Sequence, residues 1–107
     1  MEVRKLNTNE ITEAFKDRKK FKKIVIEAIE YLLNKKENTD FYIIGVREIL
    51  QVVKEMFNLK NSEFDKKLSI KIGLALNDIG IETFNTGRGK EFIISKNEFE
   101  IIKHANK

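Results

Sequence analysis

Cysteine and proline are absent from this 107-residue chain, histidine occurs once, and glycine only five times. Without cysteine there can be no disulfide and no thiol chemistry. Structural zinc would have only His104 as a nitrogen ligand, so no metal is expected. No apolar run approaches the roughly 20 residues of a membrane span, so no membrane association is expected. The opening MEVRKLNTNE is polar and lacks the apolar middle of a signal peptide, which predicts an intracellular, cytoplasmic protein. No Gly/Ser linker and no fixed period divide the chain, so one domain is expected.

The inventory for catalysis is equally thin. A Ser/His/Asp or Cys/His arrangement would need His104 as its base, and no nucleophile elbow precedes it. Neither GxGxxG nor GxxxxGKS/T occurs, and Gly87-Arg88-Gly89 lacks the strand-to-helix setting of a phosphate loop. The acid pairs Glu27/Glu30 and Glu98/Glu100 read as ordinary exposed helix charges. The expectation is therefore no enzyme, no cofactor and no small-molecule ligand.

What the chain does contain is charge and aliphatic bulk. Hydrophobic residues make up 41% and charged residues 36%, a balance that argues for a folded domain over disorder. The net charge of +4 is unevenly placed. Residues 16–23 (KDRKKFKK) hold six cations and one anion, and residues 60–90 hold six cations and four anions. The rest is therefore net acidic, since +5 and +2 leave −3 of the total. Two basic zones on a neutral-to-acidic body are the footprint of a polyanion binder, or simply solvated faces.

Apolar spacing predicts the elements. From Thr8, read as a cap, Ile11, Ala14 and Phe15 share a helix face. Phe21, Val25, Ala28, Ile29 and Leu32 continue it, either in one long helix or in a second one capped by Asp17. Phe41–Ile44 reads as a short strand. Gly45 then opens a helix with Val46, Ile49, Leu50, Val53 and Phe57 inward and Arg47, Glu48, Gln51, Lys54 and Glu55 outward. Ser62-x-x-Asp65 reads as a capping-box variant starting a helix with Phe64, Leu68, Ile72, Ala75, Leu76 and Ile79 buried, stopped by Gly80. Two strands, 81–84 and 91–95, flank the turn-forming Asn85–Lys90, and Asn97 is expected to cap a last helix bearing Phe99 and Ile102.

Helix, strand, helix, turn, helix, strand, glycine-rich loop, strand: this order, with the phrase LSIKIGLALNDIGIETFNTGRGKEFIIS, resembles the winged helix-turn-helix family of DNA-binding domains. The resemblance covers residues 18–95, about three-quarters of the chain. It rests on the order of elements, not on one diagnostic motif. It implies an α+β fold, a three-helix core with a small β-hairpin wing. An N-terminal helical extension at 1–17 and a short C-terminal helix at 96–107 would flank it. In that family the second helix of the turn motif enters the major groove and the wing touches backbone or minor groove.

Steps of 100° from the buried Leu68 put Lys66, Ser69, Ile70, Gly73 and Asn77 on the opposite face of the 62–79 helix, with Lys67, Lys71 and Leu74 on its flanks. Gly73 costs a helix interior about 1 kcal/mol relative to alanine. It signals a close approach, by DNA or by a packed helix. Ile70 and Leu74 suit thymine methyls or are under-buried core residues, and Asn77 suits adenine or a phosphate, or is only solvated or capping. At the wing, Arg88 stands between two glycines with Lys90 beside it and Asn85 and Thr86 before it. A lone arginine there suits a narrow, electronegative minor groove. Lys19, Lys20 and Lys23 are candidate phosphate contacts, and His104 reads as surface. The apolar faces at Ile11, Phe15, Phe99 and Ile102 exceed what a three-helix core requires, so one must pack outside it, either back on the domain or on a second copy, and a homodimer is expected.

The expected function is sequence-preferring binding of double-stranded DNA by a homodimeric transcriptional regulator, or by an operator- or centromere-binding (plasmid partition) protein of a small replicon. The alternatives are a winged-helix protein–protein module and an accessory domain of a replication initiator or primase.

Overall fold

A computed structural model describes residues 3–106. Met1, Glu2 and Lys107, which the expected extensions include, lie outside the described residues. Five helices and a three-stranded antiparallel sheet follow in the order α1 (Thr8–Lys16), α2 (Arg18–Lys35), β1 (Tyr42–Gly45), α3 (Val46–Met56), α4 (Asp65–Asp78), β2 (Phe84–Thr86), β3 (Gly89–Ile94) and α5 (Lys96–Ala105). The chain is α+β, as expected.

Caps set the helix boundaries, and they correct several expected ones. Asn7, not Thr8, starts α1. Its side chain accepts the Glu10 N–H at 2.9 Å, and the Glu10 carboxylate accepts the Asn7 N–H at 3.1 Å. Asp17 leaves helical geometry (φ −114°, ψ 111°) and accepts the Lys19 N–H at 2.9 Å. Residues 8–35 are therefore two helices, although the apolar spacing fits one. Ser95 caps α5 in place of Asn97, accepting the Glu98 N–H while the Glu98 carboxylate accepts its own, both at 3.1 Å.

Before α4 the expected Ser62 cap does not form. The Asn61 side chain takes the Glu63 N–H at 3.1 Å, and this local turn delays the helix to Asp65. Asp65 instead meets Lys54 at 2.8 Å, and Phe64, expected inside, is exposed. The far end stops as expected. Gly80 adopts φ +85°, its N–H reaches the Asn77 carbonyl at 3.1 Å, and the Ile81 N–H reaches that of Leu76 at 2.9 Å. This double bond is the Schellman closure that glycine favours.

Ile81 is consumed by that closure and buried, so β2 begins only at Phe84. The sheet order is β1-β3-β2, with Ile43 opposite Ile93 and Phe84 opposite Glu91. The period of two sends Tyr42, Ile44, Phe92 and Ile94 into the core. Phe41, expected in the strand, is left exposed before β1. Phe84, Ile43 and Ile93 face outward on the sheet's other side, also exposed.

Buried Phe21, Ile24, Val25, Ile26, Ala28, Ile29, Leu32 and Leu33 cover too much of α2 for one stripe. That helix is the hub, packed by α1, α3, α4 and α5. Ile11 and Phe15 pack onto the same core, with the Phe15 ring edge-on to Phe57 at 5.5 Å. Phe99 is 2% exposed and Ile102 half-buried, and Lys103 pairs with Glu30 of α2. The terminal apolar faces expected to meet a second copy thus pack on the chain's own core, Phe99 fully and Ile11, Phe15 and Ile102 in part.

Candidate functional site

Where α4, the first turn of α3 and the β2–β3 hairpin converge, an open groove of about 770 Å³ forms. Its floor is the outward face of α4, with Ser69, Ile70, Gly73, Leu74 and Asn77, and one wall carries Arg88 and Lys90. The 100° spacing about Leu68 accounts for that face, because Leu68 and Ile72 are fully buried opposite it. Ile70 remains 57% exposed and Leu74 48%. The side chains of Ser69 and Asn77 make no hydrogen bond within the described residues. A methyl group added at Gly73 would meet nothing within 4 Å outside its own helix backbone. Helix packing within the chain is therefore not what requires this glycine.

The hairpin tip holds Arg88 by its backbone. Thr86 pairs with Gly89, leaving Gly87 and Arg88 at the corners, and Gly89 takes φ +105°. The Thr86 hydroxyl accepts the Arg88 N–H and donates to the Gly89 carbonyl, both at 3.1 Å. Thr86 thus shapes the tip, while the guanidinium projects without an ion pair among the described residues.

Two charged groove residues escaped the sequence reading as site residues. Arg47 lies in the first turn of α3, and Glu82 on the link before β2. Only the packing of α3 on α4 brings Arg47 there, so no local pattern announces it. The groove holds three cations, Arg47, Arg88 and Lys90, against the single carboxylate of Glu82.

Six cations elsewhere among the described residues are ion-paired. Arg4 binds Glu10 and Glu27 at 2.9 Å, Arg18 binds Asp78 at 2.7 Å, and Lys36 binds Glu48 at 3.1 Å. Lys20, Lys54 and Lys103 are paired as well. These contacts hold Arg4, Arg18, Lys20 and Lys103 protonated beyond their ordinary ranges, and the Arg4 guanidinium holds the Glu10 carboxyl below the usual one.

Several expected contacts stand outside the groove. Lys66 is exposed on the first turn of α4, and Asn85 lies in β2 opposite Lys90. Lys67 and Lys71 turn toward α1. Their ammonium groups sit 5.5 and 5.7 Å from the Phe15 ring centre, and that of Lys71 also donates to the Phe15 carbonyl at 3.4 Å. A cation over a ring face and against the last carbonyls of a helix is doubly favoured. Lys20 is taken by Glu13, Lys19 is exposed on α2, and Lys23 lies near Lys103 and Asn106 on the α5 side. His104 is exposed. Among the described residues no acidic or histidine cluster could hold a metal, and no helix is long and apolar enough to cross a membrane. No family model, curated protein or solved structure matches the chain.

Proposed function

We propose that the chain is a winged helix-turn-helix protein that binds double-stranded DNA, with α4 as the major-groove helix and the β2–β3 hairpin as the wing. The order α2, β1, α3, α4, β2, β3 and the strand order β1-β3-β2 support this reading. One observation carries it. Arg47, Arg88 and Lys90 enter no ion pair among the described residues and converge with the uncovered face of α4. Unpaired cations about a helix face are what phosphate neutralisation requires.

With Lys67 and Lys71 directed at Phe15, the cations of α3, α4 and the wing left for phosphate are Arg47, Lys66, Arg88 and Lys90. A log–log slope of affinity on salt of about −3 to −4 per bound chain is expected. Fluorescence titration of a labelled duplex between low and moderate salt measures it. A slope near zero would return the groove to the competing reading, a protein-docking module. The apolar side chains of Val46, Ile70, Leu74 and Ile81 in the groove favour that reading.

The biological role proposed is regulation of transcription, or marking of an operator- or centromere-like repeat, by a homodimer. The surface available to a second copy is the outer face of the sheet, where Ile43 and Ile93 sit opposite each other and 55% and 53% exposed.

A further inference from the structure

The floor of the groove is not built for phosphate alone. Ile70 and Leu74 stand one helical turn apart, both largely uncovered, and Asn77 follows on the same face three residues later. Glu82, a carboxylate, shares the groove with them and would repel a phosphate track laid along it. Gly73 leaves the centre of this face open. Aliphatic side chains gain nothing from a sugar–phosphate backbone. The apolar group that a duplex presents in its major groove is the C5-methyl of thymine.

Building on the DNA-binding reading above, we propose that α4 selects A·T-containing steps. Ile70 and Leu74 receive thymine methyls, and Asn77 bonds the N6 and N7 edge of an adenine. The cations at the rim fix charge and register, and the floor supplies the choice of base. Ser69 and Asn77 have their hydrogen-bonding groups free for base edges, because no side-chain hydrogen bond among the described residues occupies them. Gly73 allows the helix to come close enough for short side chains to reach.

The test uses duplexes that the full chain selects from a random pool, resynthesised with deoxyuridine in place of one thymidine at a time. This exchange deletes one methyl and leaves pairing and charge unchanged. Loss of a buried methyl corresponds to roughly a fourfold weakening. The expected result is that weakening at one or two positions with the native chain and its disappearance in Ile70→Ala or Leu74→Ala. Ile70 and Leu74 are exposed, so the circular dichroism melting temperature of these variants should match that of the native chain. Asn77→Ala should abolish discrimination at one adenine. Salt-dependent duplex binding that is indifferent to every deoxyuridine, or a pool that shows no selection, would overturn the base-reading proposal and leave DNA binding standing. Failure to bind any duplex at low salt would overturn both, and the groove would belong to a protein partner.

Discussion

Gly73 occupies the middle of a helix, where alanine is more favourable by about 1 kcal/mol. No neighbouring element approaches it. Gly73→Ala should therefore stabilise the free protein, raising its melting temperature by roughly 4 °C or more. It should also weaken duplex binding several-fold, because the added methyl enters the groove. A stabilised variant with unchanged affinity would show that nothing comes close at this position. The lysines separate in the opposite sense. Lys71→Ala removes a cation held over the Phe15 and Phe21 rings and should cost about 1 kcal/mol of stability while leaving the salt slope nearly intact. Arg88→Ala should leave the melting temperature in place and reduce the slope by about 1, most visibly on sites with A·T runs under the wing. The outward face of α4 was legible from spacing alone, since Leu68 and Ile72 anchor it. The roles of Lys67 and Lys71 were not, because they depend on where a ring more than fifty residues earlier in the chain packs.

Helix α1 is the least committed element by sequence and the most dependent on polar contacts. Arg4 forks onto Glu27 of α2 with two 2.9 Å bonds and holds Glu10 at 2.9 Å, while Glu10 also closes the cap at Asn7. The Arg4 guanidinium, and after it the Asn7 N–H, lowers the Glu10 carboxyl below the ordinary glutamate range. A carboxyl depressed by folding stabilises fully above its unfolded value, and that contribution fades as pH falls through the folded one. The Glu10 titration followed by NMR should thus have its midpoint below that of a free glutamate, and Arg4→Ala should return it toward that value. Amide protection factors in α1 should fall over the same acidic interval. An ordinary midpoint in the native chain would mean the clamp is not formed in solution. The order of elements was readable because each helix must turn its aliphatic residues to one core. The boundaries slipped where two cap-forming residues compete within a few positions: Asn7 and Thr8, Ser95 and Asn97, Asn61 and Ser62. Their ranking depends on which backbone N–H each side chain reaches once the chain is packed.

At the scale of the whole molecule two surfaces stand out, the groove about α4 with cations around an aliphatic floor and an apolar patch on the outer face of the sheet. Phe41, Ile43, Phe84 and Ile93 are each 44–63% exposed, and the last three share that face by strand register. Together these side chains present a few hundred Å² of apolar surface, the size at which a monomer's patch marks a contact. A two-fold interface is self-complementary, so the Ile43–Ile93 pair would meet its own copy across the axis. Each partner of a stable dimer gives up about 800 Å², so in the proposed dimer these residues would form its centre and the surrounding polar residues its rim. The apolar faces at the chain termini pack at least in part on the chain's own core. Ile11, Phe15, Phe99 and Ile102 looked surplus only because the breadth of α2 is invisible in a one-stripe reading. Sedimentation equilibrium should show a concentration-dependent dimer, and Ile43→Lys or Ile93→Lys should leave a monomer with the native circular dichroism spectrum. On DNA, the native chain should protect two half-sites whose centres lie about 10 bp apart or a multiple of that. The lysine variants should protect single half-sites with roughly half the salt slope, since each carries one set of groove cations. A dimer that survives both substitutions would place the axis elsewhere on the molecule. A native chain that stays monomeric and covers a single half-site would leave one groove reading one site.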